Sequence, residues 1–375
     1  MSVRNQHFAT IDGLRGVAIL LVCIYHYGLT YARDGVFGGM LVASWLQMGW
    51  MGVDLFFVIS GFLITSILLE TREDTHYFRN FIVRRTLRIW PLYYLSLFFL
   101  IVVAPAVLQP VPDDLLRLSD KQWWFWTYTA NWLFALEGGF NQTPCGYYWS
   151  LAVEEQFYLL WPLVVWKTPE PRLRGVCVAM FAGSLGLRLA LAARGVPEGS
   201  LYTMTFTHIE AVAGGALLAL LARDPAWTAR IVRWSTPLLL VGLASLLAVR
   251  GVDHSFKFWE PAMARYGLTA VALVGAALLI KAHLADGDSW FKRALRTAPM
   301  VATGRYSYAL YMAHVPVGVQ FEKLGAGWLE AAASTAQYDL RFACVSGGAL
   351  LASWLLAMAS WHVFEKHVLK LKRYF

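Results

Sequence analysis

Arg15 and His26 stand eleven residues apart. On a helix that spacing is about 1100° of rotation, within ~20° of three full turns, so both side chains share a face about 16 Å apart along the axis. A guanidinium holds anions, and an imidazole with an ordinary pKa near ~6.5 exchanges protons at neutral pH. A snorkelling arginine and a hydrogen-bonded core histidine also explain the pair; the common face favours a polar cavity. In FIVRRTLRIWPLYY, Arg85 and Arg88 project to the same side beside Arg84. Guanidinium forks suit phosphate, although basic anchoring of a helix end explains an isolated cluster as well. The run WSLAVEEQFYLLWP stacks Ser150, Glu154 and Tyr158 at i, i+4, i+8, with Glu155 about 100° away. Carboxylates there would orient an imidazole or accept protons, and packing through hydrogen bonds is the competing use. GRYSYALYMAH aligns Ser307, Tyr311 and His314 on one stripe. With Tyr158 these are the candidate substrate contacts, and core hydrogen bonding is the commoner role for such tyrosines. His208 and Glu210 open another apolar stretch, while His362 and Glu365 end the last one beside a basic tail, where a structural salt bridge is expected.

The elements that must position these groups are membrane helices. The chain is 58% hydrophobic and 15% charged, against about 45–50% apolar and about 25% charged in a soluble domain. Seventeen Trp and seventeen Tyr suit wide membrane–water belts. A span needs about 20 mostly apolar residues, and ten stretches qualify: 12–31, 50–69, 88–107, 149–166, 174–193, 205–222, 235–250, 263–282, 301–320 and 342–363. The run Gly16–Tyr31 carries His26 and leads into further spans, so it reads as a retained first helix rather than a cleaved signal. Segment 123–136 is apolar but short and Trp-rich, which predicts a surface-lying or re-entrant piece. The expected fold is therefore an all-α polytopic transmembrane bundle of about ten spans.

Most of the 32 Lys and Arg fall on one side of that topology. They include Arg4, the Arg72–Arg88 cluster, and Lys366, Lys370, Lys372 and Arg373. This bias puts both termini in the cytoplasm and explains the net charge of +8 without nucleic acid. Four cysteines without a CxxC pair indicate neither a disulfide framework nor a metal site. No polar stretch is long enough for a core of its own, so residues 1–375 read as one membrane-embedded domain with no fused soluble domain. Ionisable groups inside spans are costly and mark function by default.

Five motifs in order, IDGLRGVAILLVCIYH, GVDLFFVISGFLIT, RRTLRIWPLYYL, WSLAVEEQFYLLWP and GRYSYALYMAH, together resemble the acyltransferase-3 family of membrane O-acyltransferases. The resemblance runs from about residue 10 to the C-terminus. It implies a ten-helix domain in the plasma (inner) membrane that moves an acyl group, usually from acetyl-CoA, onto a hydroxyl of a sugar, glycolipid or metabolite. The family's Arg–ten residues–His motif falls on Arg15 and His26, its Arg-x-x-Arg on Arg85 and Arg88, and its carboxylate pair on Glu154 and Glu155. Two departures stand out: His208-Ile209-Glu210 occupies the place of an Arg-x-Asp, and Glu365-Lys366-His367 lacks the family's proline.

The implied mechanism places coenzyme A phosphates on Arg85, Arg88 and Arg15, and carries the thioester along a polar channel to His26 as general base. Glu154 or Glu155 then orients the imidazole or stabilises its cation. An acyl-histidine intermediate is the competing route. No metal is expected. A glycolipid flippase also needs an intramembrane polar cavity, but moves intact lipid without consuming acyl-CoA. A b-type haem protein would need facing histidines at matched depth and a Soret band.

Overall fold

With no water in the hydrocarbon core, a spanning backbone must satisfy its own amides and carbonyls, and a helix does so within one segment. The computed structural model describes residues 8–31, 46–108, 110–140 and 145–375, and among them every regular element is a helix. Arg4 and residues 141–144 lie outside the described residues. The principal helices are α1 (Ala9–Tyr31), α2 (Met51–Glu70), α3 (Tyr77–Phe98), α4 (Tyr148–Lys167), α5 (Glu170–Ala193), α6 (Glu210–Leu221), α7 (Pro225–Asp253), α8 (Leu268–Leu279), α9 (Ala298–Glu330) and α10 (Thr335–Ser360). π-Helical turns extend α3 through Phe99–Val103, α8 at both ends and α10 through Trp361–Glu365.

Each of the ten expected stretches is helical, the sixth with a break at Ile209. Among the described residues, seven helical stretches are long and apolar enough to cross a membrane, and these contain α1, α2, α3, α5, α7, α8 and α10. The other three differ for physical reasons. α6 has only 12 residues. α4 and α9 have 20 and 33 residues but carry Ser150, Glu154, Glu155, Ser307 and His314, most of them turned into the bundle. α4 and α9 thus read less like lipid-facing spans because they turn polar groups of the candidate site inward.

α1 packs along α9 and α2, α2 along α6, and α9 against α10. These contacts are close because small residues let backbones meet. A Cβ at Gly61 of α2 would lie 2.0 Å from the Val212 carbonyl oxygen, and one at Gly215 of α6 would lie 2.0 Å from that of Val58. Gly215→Leu is therefore expected to force α2 and α6 apart, at a cost of about 1–3 kcal/mol or more. Thermal unfolding in detergent measures it, and an unchanged melting curve would contradict this packing.

The aromatic segment is no further span. It forms two short helices, Gln122–Trp126 and Ala130–Glu137, separated by a turn in which Tyr128 adopts φ 54°. Eight residues of helix reach only about 12 Å.

Candidate active site

The first half of the site is a cavity lined by side chains from α1, α2, α3, α4 and α9, with a volume of about 120 Å³. Arg15, Arg85 and Arg88 all face it, together with Ser60, Ser150, Glu154, Tyr158, Ser307, Tyr308 and Tyr311. The convergence follows from helix geometry: Arg85 and Arg88 share a face of α3, and Arg15 sits near the start of α1. Arg15 Nη2 donates to Ser307 Oγ at 3.1 Å. The Arg85 guanidinium lies 5.5 Å from the Tyr158 ring centre, and that of Arg88 lies 5.5 Å from Trp361. Among the described residues none of these three guanidiniums is within ion-pair distance of a carboxylate. Three guanidiniums around one small cavity, with Glu154 as the carboxylate in its lining, can together hold an anion such as a phosphate group.

A second cavity, of about 410 Å³, lies toward the opposite ends of α1, α2, α4 and α9. Its lining is aromatic: Tyr25, Trp50, Tyr147, Trp149, Tyr202 and Tyr311 surround it, with His26 in the wall. Among the described residues, only Val53 and Tyr311 line both cavities. The Tyr311 hydroxyl is fixed there, donating to the Tyr147 carbonyl at 2.8 Å and lying 2.6 Å from Ser150 Oγ. His26 Nδ1 lies 2.9 Å from the Val22 carbonyl oxygen and 3.3 Å from His314 Nε2.

Against the sequence expectations, Arg15, Arg85 and Arg88 meet as anticipated, and Glu154, Tyr158, Ser307 and Tyr311 join them. Arg15 and His26 do share the inward side of α1, but they do not line one continuous channel. The Tyr311 ring and Val53 separate the two spaces, because α9 presents an aromatic side chain across the path. The carboxylates also land elsewhere. Glu154 accepts from Ser60 at 2.7 Å, and Tyr158 donates to Ser60 at 3.2 Å, so this carboxylate belongs to the arginine cavity. Glu155 is buried against α3, where Trp90 Nε1 donates to it at 2.9 Å. The hydrogen bonds of these two carboxylates thus run to Ser60 and Trp90, not to the imidazole they were expected to orient. His314 is fully buried, lines neither cavity and touches His26 instead of a substrate space. At the end of the last span, His362 lies 3.3 Å from the Tyr306 hydroxyl and Glu365 accepts from Ser360 at 3.2 Å, and among the described residues neither forms the expected salt bridge.

Ser60 and Tyr308 were missed because neither residue type is unusual in an apolar helix. Spacing on α9 offered a signal for Ser307, Tyr311 and His314 but not for Tyr308. The aromatic lining of the second cavity gave none, since Trp and Tyr are abundant throughout the chain.

The other intramembrane charges form a separate layer. Arg188 of α5 is wholly buried. It donates to Glu210 at 2.9 Å, to Thr269 at 2.7 Å, to the Thr207 carbonyl at 2.5 Å and to the Arg265 carbonyl at 3.0 Å. His208 bridges Asp54 at 2.8 Å and the Tyr202 carbonyl at 2.6 Å. The His208-Ile209-Glu210 departure thus ties the broken entry to α6 onto α2, α5 and α8. Among the described residues there is no cluster of three or more metal-ligating side chains.

Sequence comparison adds lineage to this geometry. The family model described as an acyltransferase domain matches residues 8–358. The peptidoglycan O-acetyltransferase OatA of Listeria monocytogenes is 26% identical over 329 residues, covering 84% of this chain and 50% of that protein. A putative O-acetyltransferase of Staphylococcus aureus strain COL is 28% identical over 336 residues, covering 84% and 51%. The O-acetyltransferase OatA of Staphylococcus aureus strain NCTC 8325 is 29% identical over 327 residues, covering 83% and 51%. The chain therefore spans about half the length of the curated relatives it matches. No solved structure matches it.

Proposed function

This chain belongs to the acyltransferase-3 family, and on that premise we propose that it is a membrane O-acetyltransferase that takes its acyl group from acetyl-CoA and delivers it to a hydroxyl of a carbohydrate or glycolipid. The observation that carries the reading is the meeting of Arg15, Arg85 and Arg88 around one cavity, which shares Val53 and Tyr311 with a second cavity that contains His26. The proposed topology has ten spans and cytoplasmic termini, so the arginine cavity opens inward, where acyl-CoA is made. Residues 8–358 act as one membrane-embedded unit.

In this reading Arg85, Arg88 and Arg15 hold the donor's phosphates, and its narrow thioester arm reaches past Tyr311. The acceptor enters the aromatic cavity, where rings suit the apolar faces of a sugar. The acceptor hydroxyl gives its proton to His26 while its oxygen attacks the thioester carbonyl carbon. The carbon–sulfur bond then breaks, the ester forms, and the departing thiolate takes the proton from His26 to leave as free coenzyme A. Glu154, held by Ser60 and Tyr158, supplies negative charge beside the guanidiniums rather than serving the imidazole.

Purified protein in lipid nanodiscs, supplied with acetyl-CoA and hydroxyl-bearing glycans, tests the proposal: free thiol and O-acetylated glycan should appear together. Transport of an intact glycolipid without thioester consumption would overturn it. Arg85→Ala is expected to raise the KM for acetyl-CoA about tenfold or more with a smaller effect on kcat, since charge-assisted contacts to phosphate contribute about 1.5–3 kcal/mol each. An unchanged donor dependence would return this cluster to helix anchoring.

A further inference from the structure

Glu154 and Glu155 bond to Ser60 and Trp90, and one side chain that does meet His26 across the bundle is His314 of α9. Their ring centres are 4.7 Å apart at 76°. His314 is fully buried, and among the described residues no carboxylate is within hydrogen-bonding distance of it.

The hydrogen positions follow from what each partner can do. A carbonyl oxygen only accepts. His314 Nδ1 lies 2.6 Å from the Tyr311 carbonyl oxygen, so that nitrogen carries a hydrogen. His26 Nδ1 lies 2.9 Å from the Val22 carbonyl oxygen, so it carries one too. Two N–H groups cannot point at each other, and His314 Nε2 faces His26 Nδ1 at 3.3 Å. His314 Nε2 is therefore the lone-pair nitrogen. The His26 hydrogen is shared between Val22 and His314 in a three-centre arrangement of the kind common along helices. The neutral His26 ring then has its own lone pair on Nε2, the nitrogen a general base needs. Every bond in the chain from His26 to His314 to the Tyr311 carbonyl runs in one direction.

We propose that His314 is the positioning residue for His26, receiving the His26 Nδ1–H so that the imidazolium formed during transfer is shared between two rings. This rests on the reading of His26 as general base. When His26 Nε2 gains the acceptor's proton, its Nδ1–H becomes a charge-assisted donor and the bond to His314 strengthens. A neutral acceptor suits this depth, because a carboxylate in its place would have to be kept ionised away from water at a cost of several kcal/mol. Tyr311 joins the two functions: its ring divides the cavities and its carbonyl anchors the second histidine.

The test uses the full chain in nanodiscs with acetyl-CoA and a glycan acceptor, comparing wild type with His314→Leu and His314→Gln. His314→Leu is expected to lower kcat about 10²-fold, with the KM for acetyl-CoA little changed. His314→Gln, which restores an accepting oxygen, recovers part of the loss. In protein labelled with ¹⁵N-histidine, the low-field proton on His26 Nδ1 should move upfield in His314→Leu. If that variant melts early, His314→Phe keeps the ring volume without the acceptor and serves the same comparison. A kcat within about twofold of wild type, a change confined to KM, or an unmoved Nδ1 resonance would overturn the assignment. The two layers of argument separate cleanly. A fully active His26→Ala sinks the base itself, whereas an inactive His26→Ala beside a normal His314→Leu sinks only the pairing.

Discussion

His26→Ala is expected to lose at least about 10³-fold in turnover while leaving the protein folded. A positioned general base contributes about 10² to 10⁴-fold, and removing the ring also removes the cation's only route to His314. The fold should survive because α1 is held by other residues. Leu14, Ala18, Ile19, Val22 and Cys23 are all completely buried, whereas His26 is half-buried at a cavity wall. Thiol release, acetylated product by mass spectrometry and a melting curve together make the measurement; near-normal turnover in a folded variant would end the base assignment. The same residue decides between two chemistries. Direct transfer leaves no labelled protein after rapid quenching with radiolabelled acetyl-CoA. A trapped acyl-enzyme that vanishes in His26→Gln would instead establish an acyl-histidine.

The helices were legible because lipid imposes a length and a composition that water does not. The shared faces of Arg85 with Arg88, and of Ser150 with Glu154 and Tyr158, were legible because helical spacing is fixed over a turn or two. What spacing cannot carry is the partner across the bundle. His314 is 288 residues from His26, and nothing local to GRYSYALYMAH distinguishes a ring facing substrate from one facing another imidazole. Glu154 and Glu155 pose the same problem. Adjacent positions on α4 diverge by about 100°, so one reaches Ser60 on α2 and the other Trp90 on α3. The division of the polar path into two cavities depends on the ring of Tyr311, whose placement is set by Ser150 on α4 and by Tyr147 just before it.

Glu210→Ala is expected to destabilise the protein by about 3–5 kcal/mol, the usual consequence of leaving one member of a buried ion pair without its partner. Arg188 and Glu210 are both 0% exposed, and Glu210 also receives Thr269 at 3.1 Å. Deleting the carboxylate strands a guanidinium that still bonds two carbonyls and one hydroxyl but has lost its neutralising charge. The pair is not itself proof of stabilisation, because desolvating both ions offsets much of their attraction. This gives the experiment its second arm. Replacing both partners with apolar groups, as Arg188→Met with Glu210→Leu, should recover most of the loss, since no charge is then left buried. Neither residue lines either cavity, so the double variant should also keep its transfer activity if the entry to α6 stays in register. Denaturation in detergent measures the first claim, and a Glu210→Ala protein within about 0.5 kcal/mol of wild type would mean that the pair is hydrated or unformed. Loss of activity in a stable double variant would show that this charged layer reaches the site through α2, where His208 holds Asp54 one position from the Val53 that lines both cavities.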